Sequence, residues 1–226
     1  TAYLKIAEGC DNHCSYCVIP SIRGRFRSRD MDAIVEEARN LAENGVRELG
    51  VVAQDLTAYG SDLYGKRSLA MLLNRLCEIE GIRWIRLHYL YPDEMDDELI
   101  DVIANQPKIL KYLDIPIQHV SDRILQAMNR RYTRTELEQL IKKLRRTIPK
   151  VVLRTTVIVG LPGETDDEFA ELCSFIQRMK FQRAGVFKYS REEGTIAADM
   201  PDQVDEDVKI RRQDTLVEIE NRVIDK

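Results

Sequence analysis

Three of the five cysteines, Cys10, Cys14 and Cys17, fall within eight residues in the spacing Cys-x3-Cys-x2-Cys. Thiolates this close in sequence can converge on one metal centre, and both zinc and iron-sulfur clusters accept them. All-cysteine zinc sites and ordinary ferredoxin clusters take four thiolates, whereas this loop offers three. Cys77 and Cys173 stand alone on helical stretches, where each reads as a small core residue. A 4Fe-4S cluster held by three cysteines has one iron open to a small molecule, a catalytic rather than a structural arrangement. A zinc site completed by His13, inside the loop, or by a remote residue is the alternative.

A second group of residues sits at strand ends. Thr156-x-Ile158-x-Gly160-x3-Glu164 lies where an apolar run gives way to a helix, a geometry that exposes backbone groups to a ligand. Without a ligand, the same Gly-Leu-Pro-Gly-Glu-Thr string is a turn followed by a capping box. Gln54 and Asp55 close another apolar run. Arg154 interrupts an otherwise apolar strand, where a buried charge requires a charged partner, either a ligand carboxylate or a neighbouring Asp. Arg23, Arg25, Arg27 and Arg29 alternate with other residues, so in an extended segment they would lie on one side. With Phe26 interleaved, that stripe suits RNA, an acidic protein surface, the acids of residues 164 to 171 or the charge of a cluster. Lys142, Lys143, Arg145 and Arg146 share a helix with Glu136 and Glu138 and read as its solvated face.

The elements that must position these residues alternate from end to end. Strand-like runs at Tyr3 to Ala7, Glu48 to Ala53, Trp84 to Leu90, Lys111 to Ile115, Val151 to Val159 and Gly185 to Tyr189 are separated by amphipathic helical patterns. The helices are expected at Asp30 to Asn44, Ser68 to Glu80, Asp96 to Asn105, Ser121 to Met128, Thr133 to Thr147 and Thr165 to Met179, two of them opened by capping boxes. This is six βα units with no room for a hairpin sheet. Such units form either an open doubly wound sheet or part of the eight-stranded barrel, and periodicity does not choose. Residues 192 to 207 carry seven acids and no Lys or Arg, which reads as a solvated loop. A last helical pattern from Asp205 reaches the final residue without a stop signal, as expected where a domain has been cut.

Composition removes whole classes. Among 226 residues, 34 Lys plus Arg against 38 Asp plus Glu give a net charge of -4, unlike a strongly basic nucleic-acid binder. At 44% hydrophobic the chain is too apolar for disorder. No run approaches the ~20 apolar residues of a membrane span, and the N-terminus lacks the order of a signal peptide. An odd cysteine count without a secretory signal fits a reducing compartment, so the cytoplasm is expected.

The cysteine loop after the first strand resembles the signature of the radical S-adenosylmethionine (SAM) enzymes. In that family three cysteines hold a 4Fe-4S cluster, SAM chelates the fourth iron, and reductive cleavage yields a 5′-deoxyadenosyl radical. The resemblance implies a six-unit partial (βα)6 TIM-like barrel, an α/β fold, over residues 1 to 204, with 205 to 226 a helix leading to a further domain. It implies metal ligation by Cys10, Cys14 and Cys17, with Tyr16 in the aromatic position beside adenine. Thr156, Ile158, Gly160 and Glu164 match the family's GxIxGxxxE motif, with Thr in place of the first Gly. Gln54 and Asp55 occupy the place that contacts the SAM amino group, and Gln118, Arg130 and Arg154 are carried over to the SAM-facing rim.

Longer strings, AEGCDNHCSYCVIPSIRGRFRSR, VAQDLTAYG, LHYLYP, YLDIPIQH, LQAMNRR and RTTVIVGLPGET, resemble the methylthiotransferases over essentially the whole chain. Gln54-Asp55, His88-Tyr89-Leu90-Tyr91-Pro92 and Asp114-Ile115-Pro116-Ile117-Gln118-His119 favour the branch acting on an aspartate β-carbon of a small-subunit ribosomal protein. The branch acting on a tRNA adenosine is the alternative, and a zinc-binding interaction module without catalysis is the alternative of another class. The resemblance also implies an N-terminal domain with a second cluster and a C-terminal β-barrel, neither of which fits here, and an electron donor such as flavodoxin. This chain alone is therefore expected to bind one cluster and cleave SAM without completing methylthiolation.

Overall fold

The alternation of apolar and amphipathic runs becomes six parallel strands, each followed by helix. The computed structural model describes residues 1–224, which fall into two units: Thr1–Asp11 with Ile19–Ile115 and Lys143–Val152, and Asn12–Val18 with Pro116–Lys142 and the chain from Leu153 onward.

In the first unit, β1 (Ala2–Lys5) leads into a short antiparallel ribbon of β2 (Ala7–Glu8) and β3 (Arg27–Ser28), with α1 (Ile19–Arg23) between them in sequence. There follow α2 (Met31–Glu43), β4 (Glu48–Val52), α3 (Leu69–Cys77), β5 (Trp84–Leu87), α4 (Asp97–Asn105) and β6 (Ile109–Asp114). The strands β1, β4, β5 and β6 lie side by side in that order, all parallel. Leu4, Leu49, Val51, Ile85 and Leu87 are fully buried on one face of this sheet. The helices bury the stripes expected of them, Ile34, Val35 and Ala38 on α2 and Leu72, Leu73 and Leu76 on α3. Asp30 and Asp96 cap α2 and α4, accepting the amides of Ala33 at 3.1 Å and Leu99 at 2.8 Å.

The second unit contains α5 (Asp122–Ala127), the start of α6 (Arg134–Thr147), most of β7 (Val152–Val159), α7 (Asp166–Met179), β8 (Arg183–Lys188) and α8 (Glu206–Ile224). β7 and β8 pair in parallel from Arg154↔Arg183 to Val159↔Lys188. Both capping boxes form, Thr133 with Glu136 and Thr165 with Glu168. The helix expected from Asp205 is α8; its expected last residues, 225 and 226, lie outside the described residues.

Four expectations are corrected. The β2/β3 ribbon exists because the chain leaving the cysteine loop returns beside the one entering it, although two residues per strand leave no period to read. The arginine stripe does not form as one extended row: Arg23 ends α1, Gly24 turns the chain with φ +74°, and only Arg27 is in a strand. Trp84 to Leu90 stops as a strand at Leu87, because Tyr89 takes a left-handed φ of +63°. The loop 192 to 207 contains a 3-10 turn at Ile196–Asp199, whose Ala197 and Ala198 are buried. Among the described residues no helix is long and apolar enough to cross a membrane.

Candidate active site

The cysteine loop is anchored at its beginning by the first unit. Gly9 has φ +83°, and a Cβ there would stand 2.2 Å from the Arg25 carbonyl oxygen, so only glycine passes. Its amide donates to Oε1 of Gln54 at 2.8 Å, and the Cys10 amide donates to the Gly24 carbonyl at 3.2 Å. Gln54, expected at the SAM amino group, thus holds the residue preceding Cys10. Its neighbour Asp55 is 2% exposed, and its Oδ1 accepts the amide of Thr57 at 3.0 Å and also the Thr57 hydroxyl. The arginines around this loop carry local partners: Arg23 with Glu8 at 3.7 Å, Arg25 with Asp11 at 3.9 Å and Arg29 with Glu37 at 2.6 Å.

The rest of the loop belongs to the second unit. The Cys17 amide donates to the Cys14 carbonyl at 3.0 Å, a tight turn that sets the two thiols three residues apart. Ser15 donates its amide to Met128 O at 3.1 Å and accepts from the Ala197 amide at 2.8 Å. Nδ2 of Asn129, a left-handed residue, donates to His13 O at 3.0 Å. Tyr16 packs on the buried cluster of Ile124, Met128, Leu161, Tyr189 and Ala197, and burial drives its phenol far above its ordinary pKa, so it stays protonated.

β7 carries the next group by strict alternation. Leu153, Thr155, Val157 and Val159 are buried, while Arg154, Thr156 and Ile158 share the half-exposed face. Arg154 Nη1 donates to Thr156 Oγ1 at 3.2 Å. Gly185 on β8 pairs with Thr156, and a Cβ there would already meet Arg154 Nη2 at 3.4 Å. Gln118 joins this face by an isolated bridge: its amide donates to Thr156 O and its carbonyl accepts from the Ile158 amide, both at 2.8 Å. It does so at φ +65°, and its side-chain Oε1 is buried with no hydrogen-bond partner. Arg130 is 8% exposed, donates to Pro116 O at 3.3 Å and lies 5.6 Å over the Tyr132 ring, while Tyr132 donates to Ile117 O.

The turn after β7 is held by a buried charge network that sequence reasoning did not find. Glu164 has a fully buried side chain; its Oε2 accepts the Gly160 amide at 3.0 Å and its Oε1 accepts from Arg212 Nη1 at 2.7 Å. Arg212, on α8, also meets Asp166 at 2.8 Å. His119 is completely buried; its Nδ1 accepts the Ser121 amide at 3.0 Å, which puts the proton on Nε2, 3.3 Å from Glu164 Oε2. Glu164 thus holds the turn of its own motif. Arg212 gives no signal in the sequence, where it is one basic residue among several on a helix.

The Radical SAM superfamily model matches residues 4–176. The chain belongs to the radical SAM superfamily. It is 55% identical over 223 residues to the ribosomal protein uS12 methylthiotransferase RimO of Geobacter sulfurreducens, and 57% identical to the RimO of Pelotomaculum thermopropionicum. Each match covers 99% of this chain and 50% of the relative, so the chain spans about half the length of these curated relatives. Among solved structures it resembles coproporphyrinogen III oxidase (HemN) of Escherichia coli, with TM-score 0.71 and 16% identity, over 99% of this chain and 52% of that one. It also resembles the radical SAM methyltransferase TsrM of Kitasatospora setae, solved with cobalamin and a [4Fe-4S] cluster, with TM-score 0.66 and 18% identity, over 83% and 34%. At such identities these likenesses concern the fold, which is the radical SAM fold of six βα units expected from the sequence.

The cofactors expected for a radical SAM chain, a 4Fe-4S cluster and SAM, are those of its superfamily. Two observations fit them: Cys10, Cys14 and Cys17 are half-buried thiols, and Gln118 aims an unsatisfied acceptor from a strained backbone position. Among the described residues no three His, Cys, Asp or Glu side chains stand ready around one metal ion. Ligation by the three cysteines rests on donor type and spacing.

Proposed function

We propose that this chain is the radical SAM core of a methylthiotransferase that modifies the β-carbon of an aspartate in the small-subunit ribosomal protein uS12. The observation that carries this reading is identity of 55% and 57% to two RimO proteins over 99% of the chain. Cys10, Cys14 and Cys17 would hold the cluster, leaving one iron for SAM. When bound, this pair supplies an organic radical able to take a hydrogen atom from carbon. The chain's own residues bind and orient. Gln118 offers its Oε1 to a donor of SAM, Arg130 and Arg154 offer positive charge to its carboxylate, and Thr156 and Ile158 present their strand face to the adenosine, with Tyr16 beside it. Gln54 and Glu164 act one step back, since each accepts a backbone amide next to the residues in contact. Asp55, closed into its turn with Thr57, fixes the chain that follows Gln54. Residues 1 to 204 form the catalytic core, the helix from 205 links it to further domains of the whole protein, and a cytoplasmic ribosomal substrate and a flavodoxin-type donor complete the setting.

The test is mass spectrometry of uS12 after anaerobic incubation with the reconstituted full-length protein, SAM, sulfide and reductant. Methylthiolation at one aspartate is expected. Modification of a tRNA anticodon stem-loop with none of uS12 would transfer the chain to the other branch.

A further inference from the structure

The sheet of the first unit has two unlike faces. Opposite the side where Leu4, Leu49, Val51, Ile85 and Leu87 are buried, Tyr3, Gly50 and Arg86 stand in register on β1, β4 and β5. That side is aromatic and open: Tyr3 is 74% exposed and Trp84 47%. The Tyr3 ring lies 6.4 Å from that of His88, and a Cβ at Gly50 would come within 3.0 Å of Tyr3 Cδ1, so glycine lets the tyrosine lie across the strand.

Arg86 is fixed on this face without being fully used. Its Nε donates to Glu48 Oε1 at 2.9 Å and its guanidinium carbon lies 5.5 Å from the centre of the Tyr112 ring. Neither Nη nitrogen donates to any described residue. A guanidinium pinned through Nε and stacked on a ring presents its two Nη groups as a planar fork, the geometry that matches a carboxylate. The other cations on the strands of this unit are committed: Lys5 to Glu8, Arg27 to the carbonyls of Arg23 and Arg25, and Lys111 to those of Ile103 and Gln106. β4 ends two residues before Gln54, which holds the residue before Cys10; Gln54 is four residue steps along the chain from Gly50, at most about 13 Å in an extended path.

We infer that Arg86 binds the side-chain carboxylate of the substrate aspartate, with Tyr3, Trp84 and Tyr112 flanking the peptide around it. The inference rests on the proposed function, which makes an aspartate the reacting residue. Hydrogen removal from the carbon beside a carboxylate requires that carboxylate to be immobilised, and a charge drawn out of water requires a cation. Asparagine has the shape but not the charge, so this site discriminates by charge and by donor geometry.

The experiment uses the reconstituted full-length protein and two synthetic uS12 peptides, one spanning the modified aspartate and one with Asp→Asn at that position, with affinity read by fluorescence anisotropy. The wild type is expected to prefer the acidic peptide. Arg86→Gln should weaken that peptide about tenfold to a hundredfold and leave the Asn peptide unchanged, while peptide-independent SAM cleavage and cluster absorbance stay at wild-type levels. Arg86→Lys should recover part of the loss. Unchanged affinity in Arg86→Gln, or an equal loss for both peptides, overturns the assignment of Arg86 alone. A wild-type protein that cleaves SAM but binds neither peptide overturns the substrate reading and this inference with it.

Discussion

At the scale of single residues, the proposed function separates side chains of the second unit that would meet a ligand from those that hold them in place. Glu164 belongs to the second kind. Replacing it by Ala strands the Arg212 guanidinium, 6% exposed, with the exposed Asp166 as its remaining anionic partner among the described residues, and removes the acceptor of the Gly160 amide. Breaking a buried pair from one side costs about 3–5 kcal/mol, so Glu164→Ala should lower the unfolding free energy by that amount in urea titration. Gln118 belongs to the first kind. Its left-handed backbone suits glycine, so Gln118→Gly should leave stability within about 1 kcal/mol of wild type. Losing the side-chain acceptor should nevertheless weaken SAM about fivefold to tenfold, measured by equilibrium dialysis on reconstituted protein. A variant that loses stability and keeps SAM affinity would make Gln118 a structural residue.

At the scale of elements, the joints carry as much information as the strands. Glu168 closes the capping box of α7 and also accepts from Arg123 and Ser121 on the α5 side. Burial opposes its charge, but the bonds from Arg123, the Thr165 amide, Ser121 and the Thr165 hydroxyl outweigh it and hold the carboxyl at about 2, against an ordinary 4.5. A folded-state value below the unfolded one stabilises the fold above pH 4.5, and that contribution fades as pH falls towards 2. Glu168→Gln should flatten the pH dependence of the melting temperature in that window and lower it at neutral pH. The helices from α2 onward and the six long strands are legible in the sequence because each holds its period over its length and most helix starts have a capping side chain, whereas the five-residue α1 is too short to show one. The β2/β3 ribbon is not, since its strands have two residues each. The Arg212 anchor is equally hidden, because its partner Glu164 lies 48 residues away and the apolar stripe of α8 is weak. Strand alternation does reveal that Arg154, Thr156 and Ile158 share a face; that Glu164 turns inward is a fact of the turn's three-dimensional path.

At the scale of the molecule, the chain combines a radical SAM fold with two kinds of support for one loop. The first unit fixes the approach to Cys10 through Gln54, and the second fixes the turn from Cys14 to Cys17 through Met128 and Ala197. The central claim is that this loop holds a redox-active cluster at which SAM is cleaved. The most direct measurement is anaerobic reconstitution with iron and sulfide, followed by dithionite, SAM and chromatography for 5′-deoxyadenosine, on wild type and Cys14→Ala. Brown protein with about four irons per site, deoxyadenosine from the wild type, and loss of both in Cys14→Ala are expected. A colourless protein that takes up zinc and forms no deoxyadenosine would contradict it.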